Sequence, residues 1–397
     1  MSQVAERLAE LRESGLHRRL RLVESPQGPR VLLDGRRVLL LCSNDYLGLA
    51  DRAEVRDAAA QAALRWGAGA GASRLISGNM EPHRRLERRL AAFKGYEAAL
   101  LFGSGYLANL GAISALAGPG RVVFSDELNH ASIVDGCRLA RAETFVYRHA
   151  DLEHLAWGLR EAGGRTSLIV SDGVFSMDGD VAPVADLAGL ARDHGCRLMI
   201  DEAHATGALG PGGRGSVAAA GLSDEVDLVV GTLGKALGSY GAYVCASSEL
   251  REYLLNTARS FVFSTALPPP ALAAALAALE LLEAEPEMVR RLRANAATLR
   301  QGLAGEGLEA GGGQSQIVPL PVGEPGRAME LCERLLERGV FAQGIRPPTV
   351  PPGSSRLRLS AMATHEQGEL REAAAAVGEA ARELGVAGER VPATIAA

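Results

Sequence analysis

Lysine is almost absent from this chain of 397 residues: of its 42 lysine and arginine residues, only Lys94 and Lys235 are lysines. With 47 aspartates and glutamates, the formal charge is −5 at pH 7. A chain without net positive charge or a dense basic tract is a poor candidate for nucleic-acid binding. The hydrophobic share of 47% excludes a disordered chain, and the length predicts two or three domains.

Cysteine is also sparse. The five cysteines are scattered and form no C-x-x-C pair: Cys42, Cys137, Cys196, Cys245 and Cys332. This pattern excludes a disulfide framework and a zinc site, predicts no bound metal, and fits a reducing cytoplasm. The first twenty residues mix glutamate with arginine and have no apolar core, so we expect neither a secretory signal nor a transit peptide.

Charge is missing from residues 261–279, which raises the question of a membrane span. The proline triplet at 268–270 divides the run, and the helical remainder is only about 20 Å long at 1.5 Å per residue. This length is too short for a bilayer. The sequence therefore predicts a buried helix that begins at proline, and no membrane association.

Short apolar runs alternate with longer helical patterns from about residue 50 onward, which is typical of an α/β protein. Seven runs are predicted as strands of a mostly parallel sheet covered by helices: 98–102, 121–125, 144–147, 167–171, 197–200, 228–231 and 242–245. We expect an N-terminal helix and hairpin segment at 1–49 and a large α/β domain at 50–268. A linking helix and a small C-terminal α/β domain would occupy 269–397.

Lys235 follows the predicted strand 228–231 and lies among glycines in the sequence GTLGKALG. A phosphate-binding loop requires GxxxxGK[ST], but Ala236 follows the lysine and Val229 replaces the first glycine. The other interpretations are a surface lysine and a Schiff-base lysine. Arginine cannot replace a nucleophilic amine, which favours the Schiff base in a chain that otherwise uses arginine. Lys94 precedes Gly95 at the end of a helical pattern, which predicts a solvated cation without function.

Asp201 and His204, in the sequence DEAH, follow the predicted strand 197–200. The letters resemble a helicase box, but the phosphate loop that it requires is absent. A carboxylate at the carboxyl end of a strand, with a histidine three residues later, places both groups in the crevice where α/β sheets bind ligands. Asp201 could hold a proton on a ring nitrogen, and His204 could reach a neighbouring oxygen. An N-cap aspartate with a surface histidine is the alternative interpretation.

The other strand ends add polar groups to the same crevice. Residues 103–108 form a glycine turn before a helix, whose free N–H groups could hold a phosphate. With Asp126 closing the next strand, this turn also resembles a dinucleotide fingerprint, so a nicotinamide and an aldehyde cofactor both stay open. His130 and Ser176 follow two further strands, although a lone histidine in a loop is more often structural. Convergence of several strand ends favours a binding site.

Together these motifs resemble the pyridoxal-phosphate-dependent α-oxoamine synthases, which share the fold of aspartate aminotransferase. The similar segments span nearly the whole chain: 43–49, 69–78, 129–132, 173–179, 201–207, 231–235 and 263–265. The resemblance implies a fold-type-I transferase with a mostly parallel seven-stranded sheet, and a homodimer whose active site is shared between subunits.

The resemblance implies roles around the cofactor, pyridoxal 5'-phosphate. Lys235 would bind it as a Schiff base and later remove the α-proton of the amino acid. Asp201 would bond the protonated pyridine nitrogen, and His204 the phenolic oxygen. His130 would stack on the ring and could act as an acid for the new carbonyl oxygen. The remaining cofactor ligands would be Gly105, Tyr106, Ser176, Thr232 and, from the neighbouring subunit, Thr265.

The resemblance also implies the substrate contacts. Asn44 and Arg358 would hold the carboxylate of the amino acid. The acyl substrate would meet Arg18, Thr349 and Arg346, with Arg19 as an alternative to Arg18. Residues 345–351 (IRPPTVP) and 356–358 are similar to the members that join L-alanine to a pimeloyl thioester of coenzyme A or a carrier protein, with loss of carbon dioxide.

Three alternatives differ from this interpretation. Another member of the family, such as a glycine C-acetyltransferase, would differ in the size of its acyl pocket and in the space around the α-carbon of the amino acid. The sequence does not measure either. A nicotinamide-dependent dehydrogenase would leave Lys235, Asp201 and His204 without a shared purpose. A non-catalytic regulatory subunit could lose Lys235 without penalty, so the retained lysine argues against it.

Overall fold

The computed structural model describes residues 2–311 and 313–386, which form two compact units. The larger unit comprises residues 49–176 and 180–289. The smaller unit combines the residues up to 48, residues 177–179 and the residues from 290 onward. The last part of the predicted C-terminal domain, residues 387–397, lies outside the described residues.

The smaller unit begins with helix α1 (Gln3–Glu13), whose N-terminus is capped by the hydroxyl of Ser2. Strands β1 (Arg30–Leu33) and β2 (Arg36–Leu40) follow as an antiparallel hairpin, as the sequence predicts. The turn between them has φ of 47° at Asp34 and 75° at Gly35, the left-handed backbone of a two-residue hairpin turn.

Seven strands form the sheet of the larger unit. They are β3 (Ala98–Phe102), β4 (Val122–Asp126), β5 (Glu143–Tyr147), β6 (Thr166–Asp172), β7 (Arg197–Asp201), β8 (Leu228–Thr232) and β9 (Ala242–Ala246). Their order is β3-β9-β8-β7-β6-β4-β5, and β9 alone runs in the direction opposite to the other six strands. The predicted mostly parallel seven-stranded sheet is confirmed, with each strand within two residues of its predicted bounds.

Ten helices surround this sheet. They are α2 (Ala53–Trp66), α3 (Glu81–Lys94), α4 (Gly105–Leu116), α5 (Ala131–Ala140), α6 (Leu152–Ala162), α7 (Val184–Asp193), α8 (Ser216–Ala220), α9 (Ser248–Thr257), α10 (Arg259–Val262) and α11 (Pro269–Ala284). Each face of the sheet packs against its own hydrophobic core, and alternate residues of a strand point to opposite faces. Val170 packs with α4 and α5 on one face, whereas Ile169 packs with α6 and α7 on the other. The sheet is therefore covered on both faces, which explains its nearly all-apolar strands.

Helix α11 begins at proline and buries Leu272, Leu279 and Leu282. It packs on α2 and α3, so it belongs to the larger unit and not to the C-terminal part in which the sequence analysis placed it. In the part of the chain that is described, no helix combines the length and apolar character that a membrane crossing requires.

The rest of the smaller unit contains α12 (Glu287–Gly305), β10 (Ile317–Gly323), α13 (Pro325–Glu337), β11 (Val340–Phe341), β12 (Gln343–Ile345), β13 (Ser355–Ser360) and α14 (Gln367–Glu383). β10, β13 and β12 form an antiparallel sheet, whereas β11 pairs in parallel with β2. Residues 1–49 are thus not a separate segment, because β2 and Leu41 share a sheet and a core with the C-terminal residues.

Candidate active site

The carboxyl ends of the parallel strands carry a cluster of polar residues in the larger unit. β6 ends at Asp172, β7 at Asp201 and β8 at Thr232. Asp172 and Asp201 are register partners on neighbouring strands. Parallel strands present their carboxyl ends at one edge, which is where open α/β sheets bind ligands.

Lys235 follows β8, and its Nζ lies 2.7 Å from Nε2 of His204. A tight turn presents the lysine: the N–H of Leu233 donates to the carbonyl of Gly241, and that of Gly238 to the carbonyl of Lys235 itself. Gly238 has φ +57°, and a Cβ there would lie 2.4 Å from the backbone nitrogen of Ala50. The glycine at position 238 is therefore required by the close approach of the backbone.

Asp201 is 5% exposed and accepts two hydrogen bonds. Its Oδ1 accepts from the backbone N–H of Ala203 at 2.9 Å, and its Oδ2 accepts from Nδ2 of Asn109 at 2.6 Å. Asn109 also donates to Oγ of Ser132 at 2.8 Å, and its own Oδ1 is buried without a hydrogen-bond partner in the described structure. Asn109 was not predicted as a site residue, although a single amide in the apolar helix α4 is a signal that could have identified it.

His130 is the N-cap of α5, and its backbone N–H donates to Oδ2 of Asp172 at 3.0 Å. Its Nδ1 lies 2.7 Å from Oγ of Ser132 and accepts from the N–H of that residue. The residue as a whole is exposed. Partial desolvation of the ring lowers the pKa of His130. The charge of Asp201 raises this pKa, whereas the charge of Lys235 lowers it further. A neutral ring with Nδ1 as acceptor carries its proton on Nε2.

Ser176 lies in a short loop that His149 holds in place. Nδ1 of His149 lies 3.0 Å from Asp126, and Nε2 lies 2.7 Å from Asp180. The ring also packs edge-on against Phe175, with 4.4 Å between the ring centroids. Burial lowers the pKa of His149, but the hydrogen bonds to both carboxylates outweigh it and raise the pKa to about 10. A charged imidazole therefore joins the end of β4 to the loop that carries Ser176.

The predicted phosphate site is the N-terminus of α4. Ser104 caps the helix, its hydroxyl accepting from the N–H of Leu107 at 3.2 Å. Gly105 and Tyr106 supply the first N–H groups, which an α-helix leaves without an intrahelical acceptor. A Cβ at Gly105 would meet no atom within 4 Å, so the space beside this backbone is open.

Two further predicted cofactor ligands, Thr232 and Thr265, also lie in the larger unit. Thr232 ends β8, and its Oγ1 donates to the carbonyl of Gly241 at 3.1 Å and accepts from the N–H of Gly234. Thr265 forms an isolated antiparallel β-bridge with Ser73. This bridge joins two of the segments on which the family resemblance rests.

The smaller unit brings together the residues predicted to hold the amino-acid carboxylate. Nη1 of Arg358 donates to Oδ1 of Asn44 at 3.1 Å, and Nη2 donates to the hydroxyl of Tyr46 at 3.2 Å. Arg358 is 6% exposed on β13. Tyr46 was not predicted as a site residue, although it lies in the motif that contains Asn44. A buried guanidinium in this setting is suited to binding a carboxylate.

The residues predicted to meet the acyl substrate line one open groove of the smaller unit, with a volume of about 620 Å³: Arg18, Arg346 and Thr349. Arg19 and Arg21 form ion pairs with Glu333 at 2.7 and 2.5 Å. Arg18 and Arg346, in contrast, have no carboxylate within ion-pair distance among the described residues. Burial, followed by the charge of Arg18, lowers the pKa of Arg346.

Comparison with known proteins identifies the family. Residues 36–377 match the family described as aminotransferase class I and II. The chain is 53% identical to the 8-amino-7-oxononanoate synthase of Citrifermentans bemidjiense over 97% of its own length and 100% of the relative's. It is 55% identical to that of Geobacter sulfurreducens, covering 96% of this chain and 99% of the relative.

Solved structures agree with this assignment. A serine palmitoyltransferase from S. paucimobilis matches with a TM-score of 0.92 and 32% identity, covering 97% of this chain and 98% of that one. An 8-amino-7-oxononanoate synthase from Francisella tularensis matches with a TM-score of 0.76 and 28% identity, covering 87% and 98%. The chain therefore belongs to the aminotransferase class I and II family and, within it, to the 8-amino-7-oxononanoate synthases.

Proposed function

We propose that this enzyme condenses L-alanine with a pimeloyl thioester to give 8-amino-7-oxononanoate, carbon dioxide and the free thiol. It is an acyltransferase of biotin synthesis, and its cofactor is pyridoxal phosphate. The observation that carries the proposal is the contact of 2.7 Å between Nζ of Lys235 and Nε2 of His204, which follows the strand that ends at Asp201. These groups match the aldehyde, phenolic oxygen and ring nitrogen of that cofactor.

The residues around the site fit pyridoxal phosphate. Lys235 would hold the aldehyde carbon, His204 the phenolic oxygen and Asp201 the pyridine nitrogen. The phosphate would lie at the N-terminus of α4, where the space beside Gly105 is open. Ser176, Thr232 and the N–H of Tyr106 would complete these contacts. When bound, the cofactor supplies an electron sink for the carbon that bears the amine.

The protein's own groups would move the protons. Nζ of Lys235, released when the amino acid takes its place, would accept the α-proton of alanine. The carboxylate of Asp201 would keep a proton on the ring nitrogen, since two N–H donors already orient it. Nε2 of His130 would donate a proton to the new carbonyl oxygen.

The substrate sites follow from the arginines of the smaller unit. Arg358 and Asn44 would bind the carboxylate of alanine. Arg18, Arg346 and Thr349 would bind the acyl substrate, because two cations that face one groove without a carboxylate partner favour an anionic ligand. The proposal assigns this role to Arg18 and not to Arg19, which is already paired with Glu333.

We also propose a homodimer in which Thr265 serves the active site of the partner subunit. Large exposed apolar side chains within the segments 69–78 and 263–265 support it: Ile76 is 80% exposed and Phe263 is 71% exposed. Contiguous exposed apolar groups mark association surfaces, and the β-bridge between Ser73 and Thr265 joins these two segments. The free cysteines, of which Cys137, Cys245 and Cys332 are buried, support a cytoplasmic location.

The decisive experiment is turnover with L-alanine or glycine, each combined with pimeloyl- or acetyl-coenzyme A or with the corresponding carrier-protein thioesters. Thiol release and the mass of the product are measured, with Lys235→Ala as the inactive control. We expect alanine with a pimeloyl thioester to give the highest kcat/KM. Preference for glycine with acetyl-coenzyme A would overturn the substrate assignment and leave the fold and cofactor unchanged.

A further inference from the structure

Lys94, the second of the two lysines, is buried. It is the last residue of α3, and its side chain is 2% exposed. The sequence-based prediction of a solvated cation is therefore wrong. Gly95 ends the helix with φ +77° and is itself exposed, whereas the side chain of Lys94 is enclosed within the larger unit.

The ammonium of Lys94 has three acceptors, one for each of its N–H donors. It contacts Oε2 of Glu202 and the carbonyl of Arg214, and lies 3.3 Å from Oγ1 of Thr206. All three acceptors belong to the loop between β7 and α8. A compact ammonium satisfies this geometry, whereas the planar five-donor guanidinium of arginine would leave buried donors without acceptors.

Glu202 is the centre of the same network and is completely buried. Its Oε1 accepts from Oγ of Ser216 at 2.9 Å and from the N–H of Val217 at 2.7 Å. The loop closes tightly around the carboxylate, since a Cβ at Gly215 would lie 2.1 Å from Oε2. The carboxylate therefore joins β7 to the start of α8.

The backbone of Glu202 connects this network to the site. Its N–H donates to the carbonyl of Val230 on β8, and its carbonyl accepts from the N–H groups of Ala205 and Thr206. The turn so formed contains His204. Asp201 precedes Glu202 directly, and successive residues at a strand end point to opposite faces. One residue therefore faces the candidate cofactor site, and the next anchors the turn from behind.

We propose that Lys94 is a positioning residue: by binding Glu202, Thr206 and the Arg214 carbonyl together, it holds Asp201 and His204 in register with Lys235. The two lysines have complementary roles, one at the reacting atoms and one beneath the turn that orients them. This inference rests on the proposed function, because it takes Asp201 and His204 to face pyridoxal phosphate.

The test uses Lys94→Met, Glu202→Gln and the double variant in the full chain. Arg89→Met is the matched control, because Arg89 is a half-exposed cation on the same helix that pairs with Glu280 and Glu283 of α11 and not with the loop between β7 and α8. Three quantities are measured: the thermal midpoint of the apoprotein, the Kd for pyridoxal phosphate, and the pH midpoint of the absorbance of the bound cofactor. Only the last two report the positions of Asp201 and His204.

We expect each single variant to lower the thermal midpoint, because it leaves a buried charge unpaired. The double variant should recover stability, since the amide introduced by Glu202→Gln keeps an oxygen that can accept from Ser216 and Val217. Its Kd for pyridoxal phosphate should nevertheless rise at least about tenfold, with a shifted pH midpoint, because small misplacements of site groups are costly. Arg89→Met should match the wild type in all three measurements.

A double variant with wild-type Kd and wild-type pH midpoint would overturn the proposal and leave Lys94 as a structural ion pair only. If Lys94→Met does not fold, the double variant still decides between these outcomes. A failure of the proposed function would be distinguishable from a failure of this inference. In that case the wild-type protein itself would not bind pyridoxal phosphate, or would bind it without the predicted turnover.

Discussion

Asp172 and Asp201 lie side by side on the neighbouring parallel strands β6 and β7, and both are buried. Burial, followed by the charge of Asp201, raises the pKa of Asp172 well above its usual range. Burial therefore disfavours a negative charge on Asp172. Asp201 accepts N–H groups from Asn109 and Ala203, and it is the carboxylate that the proposed function places on the pyridine nitrogen. One charged carboxylate is suited to a protonated pyridine nitrogen.

The asymmetry of this pair predicts different effects for two matched substitutions. Asp201→Asn should weaken pyridoxal phosphate binding by about a hundredfold, because the buried residue proposed as the partner of the ring nitrogen loses its carboxylate. Asp172→Asn keeps an oxygen acceptor for the N–H of His130 and replaces a group whose charge is disfavoured by burial, so Kd should change less than about threefold. Equal losses in titrations of the two variants would contradict this assignment.

Asp172 also predicts a dependence of stability on pH. A carboxyl group with a raised folded-state pKa contributes stability below its unfolded pKa of 3.8, and this stability is lost as pH rises through the folded value. Asn does not titrate. The free energy of unfolding of Asp172→Asn should therefore increase relative to the wild type between pH 5 and pH 9, as measured by urea denaturation of the apoproteins.

His149 should stabilise the protein through its hydrogen bonds to the carboxylates of Asp126 and Asp180. Its pKa of about 10 exceeds the unfolded value of 6.5, so its contribution is complete below pH 6.5 and is lost as pH rises through 10. His149→Gln should cost roughly 2–3 kcal/mol at pH 6, less than the full linkage value because the ring is partly exposed. Denaturation curves at pH 6 and pH 10.5 should show the difference from wild type shrinking; a constant difference would argue against a charged imidazole.

The scarcity of lysine allows a direct chemical test. Reduction of the pyridoxal phosphate complex with borohydride should attach the cofactor to the peptide that contains Lys235 and leave Lys94 unmodified, because Lys94 is enclosed by three acceptors. Peptide mass spectrometry distinguishes the two sites without ambiguity. Lys235→Ala should take up no label, and label on Lys94 would contradict the assignment.

Gly215 and Gly212 form a matched pair on the loop that Lys94 binds. Both have positive φ, but a Cβ at Gly215 would lie 2.1 Å from Glu202, whereas one at Gly212 meets nothing within 4 Å. Gly212→Ala should cost only about 1 kcal/mol of unfolding free energy, and Gly215→Ala at least about 3 kcal/mol. Calorimetry of the two variants checks this, and equal costs would show that the loop yields at Gly215.

Arg18 and Arg19 are neighbours with different expected roles. Arg18→Ala should raise KM for the pimeloyl thioester about tenfold with little change in KM for alanine, because it removes a cation of the groove that has no carboxylate partner. Arg19→Ala should leave both values nearly unchanged, since Arg19 already binds Glu333. Steady-state kinetics with each substrate varied separately distinguishes the two, and the reverse result would assign the role to Arg19.

The sequence by itself determined the sheet and the edge at which its site lies. Strands buried on both faces must be nearly all apolar, and this local signal predicts all seven strands of the larger unit. The carboxyl ends of such strands meet at one edge, which is why Asp201, His204, His130 and Lys235 were predictable as a group.

Only the tertiary structure decided which residues support that site from behind. Lys94 has the local pattern of a solvated helix end, and its burial depends on Glu202, which is 108 residues away in the chain. Asn109 and His149 likewise acquire their roles from distant carboxylates. β2 joins the C-terminal residues through its pairing with β11. Local patterns report which face of an element is buried, but the partner on that face depends on how distant segments pack.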